Sequence, residues 1–337
     1  MKPLRNRLQE ARKRLGLPWE ILERDYVLSW LLAGVSHVEA LRHTLVFKGG
    51  TALKKCFFDH YRFSEDLDFS GMGNVPTGDE MEGAIREVCD RAVNLLNEYA
   101  PVEIVCERYT EREPHPGGQE AFTIRVQLPW QRTPQTRVMI ETTVDEEVLK
   151  PVQKKSIIHE YGEPLETQVQ VYALEEIVAE KLRAILQHVE ELHERGWSRS
   201  RARDYYDLWR VLSAYQNQLG LSNFCSFLRT KCTLRNEASA LGCRKFTSSI
   251  PCCLERKANQ SLSVTPTNPS FWVYLVLRKT CPSKVVRNVG LSAILLEGLT
   301  VIDSLLTYLR TSPSSGGPAH QVVKSVGLTL LFLPVCR

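Results

Sequence analysis

The 337-residue sequence lacks any apolar run able to cross a bilayer. Its best candidate, residues 291–309, is interrupted by Glu297 and Asp303, and residues 326–335 fall well short of the ~20 that a helical span needs. No membrane association is expected. The N-terminal twenty residues are charged and hold no apolar stretch of the secretory kind, so no export is expected either. The ten cysteines form no Cys-x-x-Cys pair and no Cys/His spacing suited to zinc. Reduced thiols in a cytoplasm are the consistent expectation. Internal repeats and heptads are also absent, which sets aside solenoids and coiled coils.

The scarcest feature is acid in the last third. Residues 221–337 hold 4 Asp+Glu against 14 Lys+Arg, net +10, whereas residues 1–220 hold 35 against 29, net −6. The overall charge of +4 therefore describes neither part. The last third also holds seven of the ten cysteines and has little periodicity, with only residues 291–309 reading as a helix. A divergent or out-of-frame tail is expected over residues 221–337. A basic nucleic-acid-binding tail is the alternative.

What is present comes earlier. Leu4, Leu8 and Ala11 recur at helical spacing, and a second helix is expected over 19–38 after Pro18. A short strand at 44–47 stops at Gly49-Gly50 and restarts as a helix. A second strand is expected at 67–70 and a helix at 78–99. Further strands are expected at 102–109, 122–128, 137–144 and 169–172, with closing helices at 174–192 and 201–215. This order predicts an α+β (mixed α/β) fold: an N-terminal helical segment over 1–43, a mixed strand–helix core over 44–172 and a helical domain starting at 173–220.

The chemistry concentrates in two blocks. Paired glycines ahead of a helix let backbone N–H groups approach a phosphate, and Thr51 adds a hydroxyl beside them. In Ser64-Glu65-Asp66-Leu67-Asp68-Phe69, Asp66 and Asp68 share one face of a strand while Leu67 and Phe69 take the other. Two adjacent carboxylates repel unless a cation lies between them, and Mg²⁺ with its preference for oxygen suits that pair. Asp-x-Asp alone is common on exposed strands, and Gly-Gly-Thr alone is a common turn. Together they supply what nucleotidyl transfer from a nucleoside triphosphate requires. Glu141, isolated in an apolar strand, is the expected third metal carboxylate, with Asp145 the weaker substitute.

Gly49-Gly50-Thr51, Arg62-Phe63-Ser64-Glu65-Asp66-Leu67-Asp68 and Arg201-Ala202-Arg203-Asp204-Tyr205-Tyr206-Asp207-Leu208 together resemble the AbiEii-type nucleotidyltransferases. These are the toxin halves of bacterial abortive-infection and toxin–antitoxin pairs, within the polymerase-β-like nucleotidyltransferase superfamily. Glu23-Arg24-Asp25-Tyr26-Val27-Leu28 is a looser match to the family's helical lead-in, and the resemblance spans roughly residues 18–215. It implies a polymerase-β-like core and a nucleotide site at Gly49, Gly50, Thr51 and Ser64. It implies metal at Asp66 and Asp68, and it makes Lys181 and Asp204 the family's later motif lysine and aspartate. An NTP co-substrate, two Mg²⁺ ions, a tRNA acceptor and a cognate antitoxin are implied with it.

From the residues themselves, Lys181 has Ile177, Val178, Ala184 and Ile185 one turn away, so it lies on an apolar stripe and must snorkel out or meet an anion; a nucleotide-binding role, neutralising the triphosphate, is expected. Catalytic roles are thus assigned to Asp66, Asp68, Glu141, Lys181 and Asp204. Two other readings stay open: transfer to a small molecule or a protein side chain, which the net −6 of the catalytic part suits, and an inactive NTP-binding module with a basic tail.

Overall fold

The computed structural model describes residues 1–109, 119–144, 146–195, 200–215, 217–220 and 224–235. These divide into two units, Met1–Ile177 and Val178–Arg337. In the first, α1 (Leu4–Leu15) and α2 (Trp19–His37) precede the short α3 (Glu39–Arg42). Then follow β1 (Leu45–Lys48), α4 (Gly49–Cys56), β2 (Asp66–Gly71), α5 (Asp79–Leu96), β3 (Glu103–Tyr109), β4 (Gln119–Gln127), β5 (Thr136–Thr143), β6 (Gln153–Ser156) and β7 (Gln168–Val171). The helix α6 (Leu174–Arg195) continues into the second unit, which adds α7 (Ala202–Tyr215) and α8 (Phe224–Arg235).

The strands form one mixed sheet in the order β3-β4-β5-β2-β1-β7-β6. β2 runs parallel to β5 and β1 parallel to β7; the other neighbours are antiparallel. Alternation along the strands assigns the two faces. Leu45 and Phe47 of β1, Leu67 and Phe69 of β2, and Val138 and Ile140 of β5 belong to the apolar core with Leu28, Leu31 and Leu32 of α2 and Met81, Ile85 and Val88 of α5. Phe47 and Phe69 are register partners whose ring centroids lie 5.4 Å apart. The opposite face carries Lys48, Asp66, Asp68, Ser70, Met139, Glu141 and Thr143.

The mixed α/β class is as expected, and so is the order of its major elements. The N-terminal helices lie in the first unit, where Leu4 and Leu8 share a core with the sheet. Three elements were not anticipated. β6 reads Gln-Lys-Lys-Ser, a polar edge strand with no apolar alternation, and α3 is a single turn. α8 lies past residue 221, where no helix was expected before 291; its buried Phe224, Leu228 and Cys232 recur every four residues. Asp145, the helix expected at 291–309 and the rest of the tail lie outside the described residues.

Candidate active site

The site starts where β1 gives way to α4. Gly49 adopts φ +80°, in the left-handed region that glycine tolerates. A Cβ on Gly49 would lie 2.4 Å from Asp68 Oδ2, so the backbone there is pressed against that carboxylate. A Cβ on Gly50 would lie 2.5 Å from Arg62 Nη2 and 3.3 Å from Ser64 Oγ. The two glycines therefore let one carboxylate, one guanidinium and one hydroxyl close over bare backbone at a helix N-terminus. Thr51 does something other than its expected role with its side chain. It is fully buried, and its hydroxyl donates to the Asp66 carbonyl at 2.6 Å, fastening α4 to β2.

Register supplies the carboxylates. Asp68 pairs with Lys48 on one side and with Glu141 on the other, while Asp66 pairs with Met139. Asp66 is exposed, and Asp68 and Glu141 are half-buried. Glu141 Oε2 accepts a hydrogen bond from Gln119 Nε2 at 2.7 Å, which offsets part of its cost of burial. Among the described residues, no three His, Cys, Asp or Glu side chains converge as a metal cluster. Asp66 and Asp68 still make an oxygen-only donor pair on an open face, chemistry that suits a hard divalent cation. Lys48, on the same face, forms an ion pair with Glu146 and reaches Thr143 Oγ1 at 3.5 Å.

α4 is held from behind by a buried ionic cluster. Lys55 Nζ donates to Asp25 Oδ2 at 2.8 Å, to the Asp25 carbonyl at 3.0 Å and to Ser29 Oγ at 2.9 Å. The Tyr161 hydroxyl donates to the same Asp25 oxygen at 2.8 Å, and Lys54 Nζ stands 4.0 Å from the other. Burial alone would raise the Asp25 carboxyl pKa. The Lys55 and Lys54 charges and the Lys55 and Tyr161 hydrogen bonds outweigh it and hold the group below its ordinary value. His159 lies beside this cluster, its ring against Tyr26, Trp30 and Tyr161. Burial, with the Lys55 and Arg7 charges, lowers its pKa to about 3, so the imidazole is neutral. The sequence did carry a signal for this cluster: two adjacent lysines inside the otherwise apolar run Ala52–Phe58 call for buried partners.

In the second unit, Lys181 meets two carboxylates rather than the phosphate expected of it. Its Nζ lies 3.1 Å from Asp204 Oδ1 and 2.6 Å from Asp207 Oδ2. Asp207 is fully buried, and Arg201 approaches the other Asp204 oxygen at 3.7 Å. Asp207 was the residue underrated from sequence, because a three-residue spacing near a helix start also describes an ordinary cap.

Compared with protein families, residues 30–247 match the nucleotidyl transferase AbiEii toxin family of type IV toxin–antitoxin systems. The chain belongs to the AbiEii nucleotidyltransferase toxin family. As a family member it is a nucleotidyltransferase, and the match covers every element from within α2 to α8. Among solved structures, MenT4, a nucleotidyltransferase toxin from Mycobacterium tuberculosis H37Rv, is similar at 20% identity and a TM-score of 0.48, over 96% of this chain and 98% of that one. Among curated proteins no match is found. No helix among the described residues is long and apolar enough to cross a membrane.

Proposed function

We propose that this AbiEii family member transfers a nucleoside monophosphate from an NTP to a nucleic-acid acceptor of the tRNA class, in a Mg²⁺-dependent reaction restrained by a cognate antitoxin. The observation that carries the reading is the close approach of the Gly49 backbone to the Asp68 carboxylate, with Asp66 on the same strand face. It sets amide donors for a polyphosphate directly beside oxygen ligands for a cation. Asp66 and Asp68 would hold Mg²⁺, with Glu141, in register with Asp68, as the third carboxylate of the set. A cation bound there would neutralise triphosphate charge and lower the cost of charge developing on the leaving pyrophosphate.

The remaining work belongs to the chain. The N–H groups at the start of α4 and the Ser64 hydroxyl bind phosphate oxygens. Thr51 keeps those N–H groups in place through its bond to the Asp66 carbonyl. In the second unit, Lys181 and Asp204 keep the parts that the family's later motif lysine and aspartate would have, neutralising triphosphate and orienting nucleotide or acceptor. The acceptor hydroxyl passes its proton to Glu141 as its oxygen attacks the α-phosphorus, the bond to the bridging oxygen breaks, and that oxygen leaves with the pyrophosphate. Incubation with each α-labelled NTP, Mg²⁺ and total tRNA tests the reading. Label on tRNA that is lost in Asp66→Ala supports it, label on a small molecule or a protein moves the acceptor class, and label nowhere refutes transfer.

A further inference from the structure

Gly50 is small for a reason different from that of Gly49. Gly49 abuts a carboxylate, whereas the place a Gly50 side chain would occupy is filled by the Arg62 guanidinium, with Ser64 Oγ next to it. Arg62 is set there by its neighbours. Tyr61 stacks on Phe58 with ring centroids 4.9 Å apart and planes 14° from parallel, and the Arg62 guanidinium lies 5.9 Å above the Tyr61 ring. Arg62 Nη1 donates to the Phe63 carbonyl at 3.5 Å. Lys54 of α4 stands 4.1 Å over the Phe63 ring, which ties this segment to the helix that begins at the glycines. Guanidinium N–H groups, a hydroxyl and helix N-terminal amides thus come together around Gly50. The Asp68 carboxylate lies one residue along the same backbone.

We infer that Arg62 is a triphosphate-binding residue that takes the two phosphates leaving as pyrophosphate, and that residue 50 is glycine because any side chain would expel it. This rests on the nucleotidyl-transfer reading above and adds a residue to it. A guanidinium matches phosphate oxygens two at a time, and charge gathers on those oxygens as the bond from the α-phosphorus to the bridging oxygen breaks. The adjacent glycines then divide the polyphosphate. The Gly49 side faces the cation-binding carboxylate, and the Gly50 side faces the fixed positive charge.

Inorganic tripolyphosphate is the informative probe, since it needs no knowledge of the base. Its affinity for the full chain is measured by calorimetry in Arg62→Gln, Arg62→Lys and Gly50→Ala, beside that of a nucleoside monophosphate. Arg62→Gln is expected to weaken tripolyphosphate about tenfold or more and leave the monophosphate within about twofold. Arg62→Lys should recover part of the loss, and Gly50→Ala should reproduce it, with the double variant Gly50→Ala/Arg62→Gln no weaker than the poorer single. Tripolyphosphate affinity unchanged in Arg62→Gln overturns the inference. So does an equal loss for both probes that Arg62→Lys fails to restore, because that is the behaviour of a loop staple. Tripolyphosphate that does not bind the unmodified chain overturns it as well, whereas the transfer reading stands or falls separately on label transfer.

Discussion

Replacing Gly49 by alanine tests the site at its tightest point. The new methyl would begin 2.4 Å from Asp68 Oδ2, where an unstrained carbon–oxygen contact needs about 3.3 Å. The carboxylate must therefore retreat by roughly 1 Å, a displacement of the size that costs about 10²-fold in a well-positioned reaction. The backbone contributes separately: φ of +80° costs an alanine roughly 1–2 kcal/mol. Gly73 supplies the control, because its φ is +67° but nothing lies within 4 Å of its would-be Cβ. Gly73→Ala should lose about the same stability and keep its activity. The assays are transfer of α-labelled nucleotide at saturating NTP and urea unfolding of each variant. If Gly49→Ala transfers label within about threefold of the unmodified chain while losing the expected stability, Asp68 does not need its present position and the metal assignment is wrong.

Three further outcomes concern the groups behind and beyond the cradle. Between pH 6.5 and about 3 the unfolded chain protonates His159 and the folded chain does not, so stability should fall as the pH is lowered through that window, by up to ~1.4 kcal/mol per unit. Arg7 and Lys55 oppose the imidazolium, Asp25 favours it and Glu163 lies 3.5 Å away; His159→Phe should flatten the fall above pH 4 in urea titrations. Asp25→Asn strands the Lys55 ammonium, which is 2% exposed, and should cost about 3–5 kcal/mol; adding Lys55→Met should return part of that loss, and an additive double variant would contradict the pairing. Asp207→Asn should destabilise the second unit more than Asp204→Asn, since Asp207 is fully buried and closer to Lys181, and protection of α6 and α7 amides from hydrogen exchange reads the difference.

The placement of the candidate site was legible because its signals are local. A strand that ends in two glycines and an Asp-x-Asp on the next strand define positions within a few residues, and period-two alternation then assigns their faces without tertiary knowledge. Glu141 was legible for a similar reason: an acid alone in an apolar strand must find a partner, and β2–β5 pairing brings it into register with Asp68. β6 was not legible, since Gln-Lys-Lys-Ser carries no pattern that separates an edge strand from a loop.

Lys181 shows where local reasoning ends. Helical spacing left it no acid one turn away on its own helix and favoured a phosphate over a solvated end. The partners the structure gives it are the carboxylates of Asp204 and Asp207 on α7, which no local pattern on α6 announces. The buried, shorter contact with Asp207 is the one that holds the lysine in place, and the partly exposed Asp204 is the looser of the two. Lys181→Met should therefore take the ammonium away from the buried Asp207 carboxylate and destabilise the second unit, and adding Asp207→Asn should return part of that loss; additive losses would contradict the pairing.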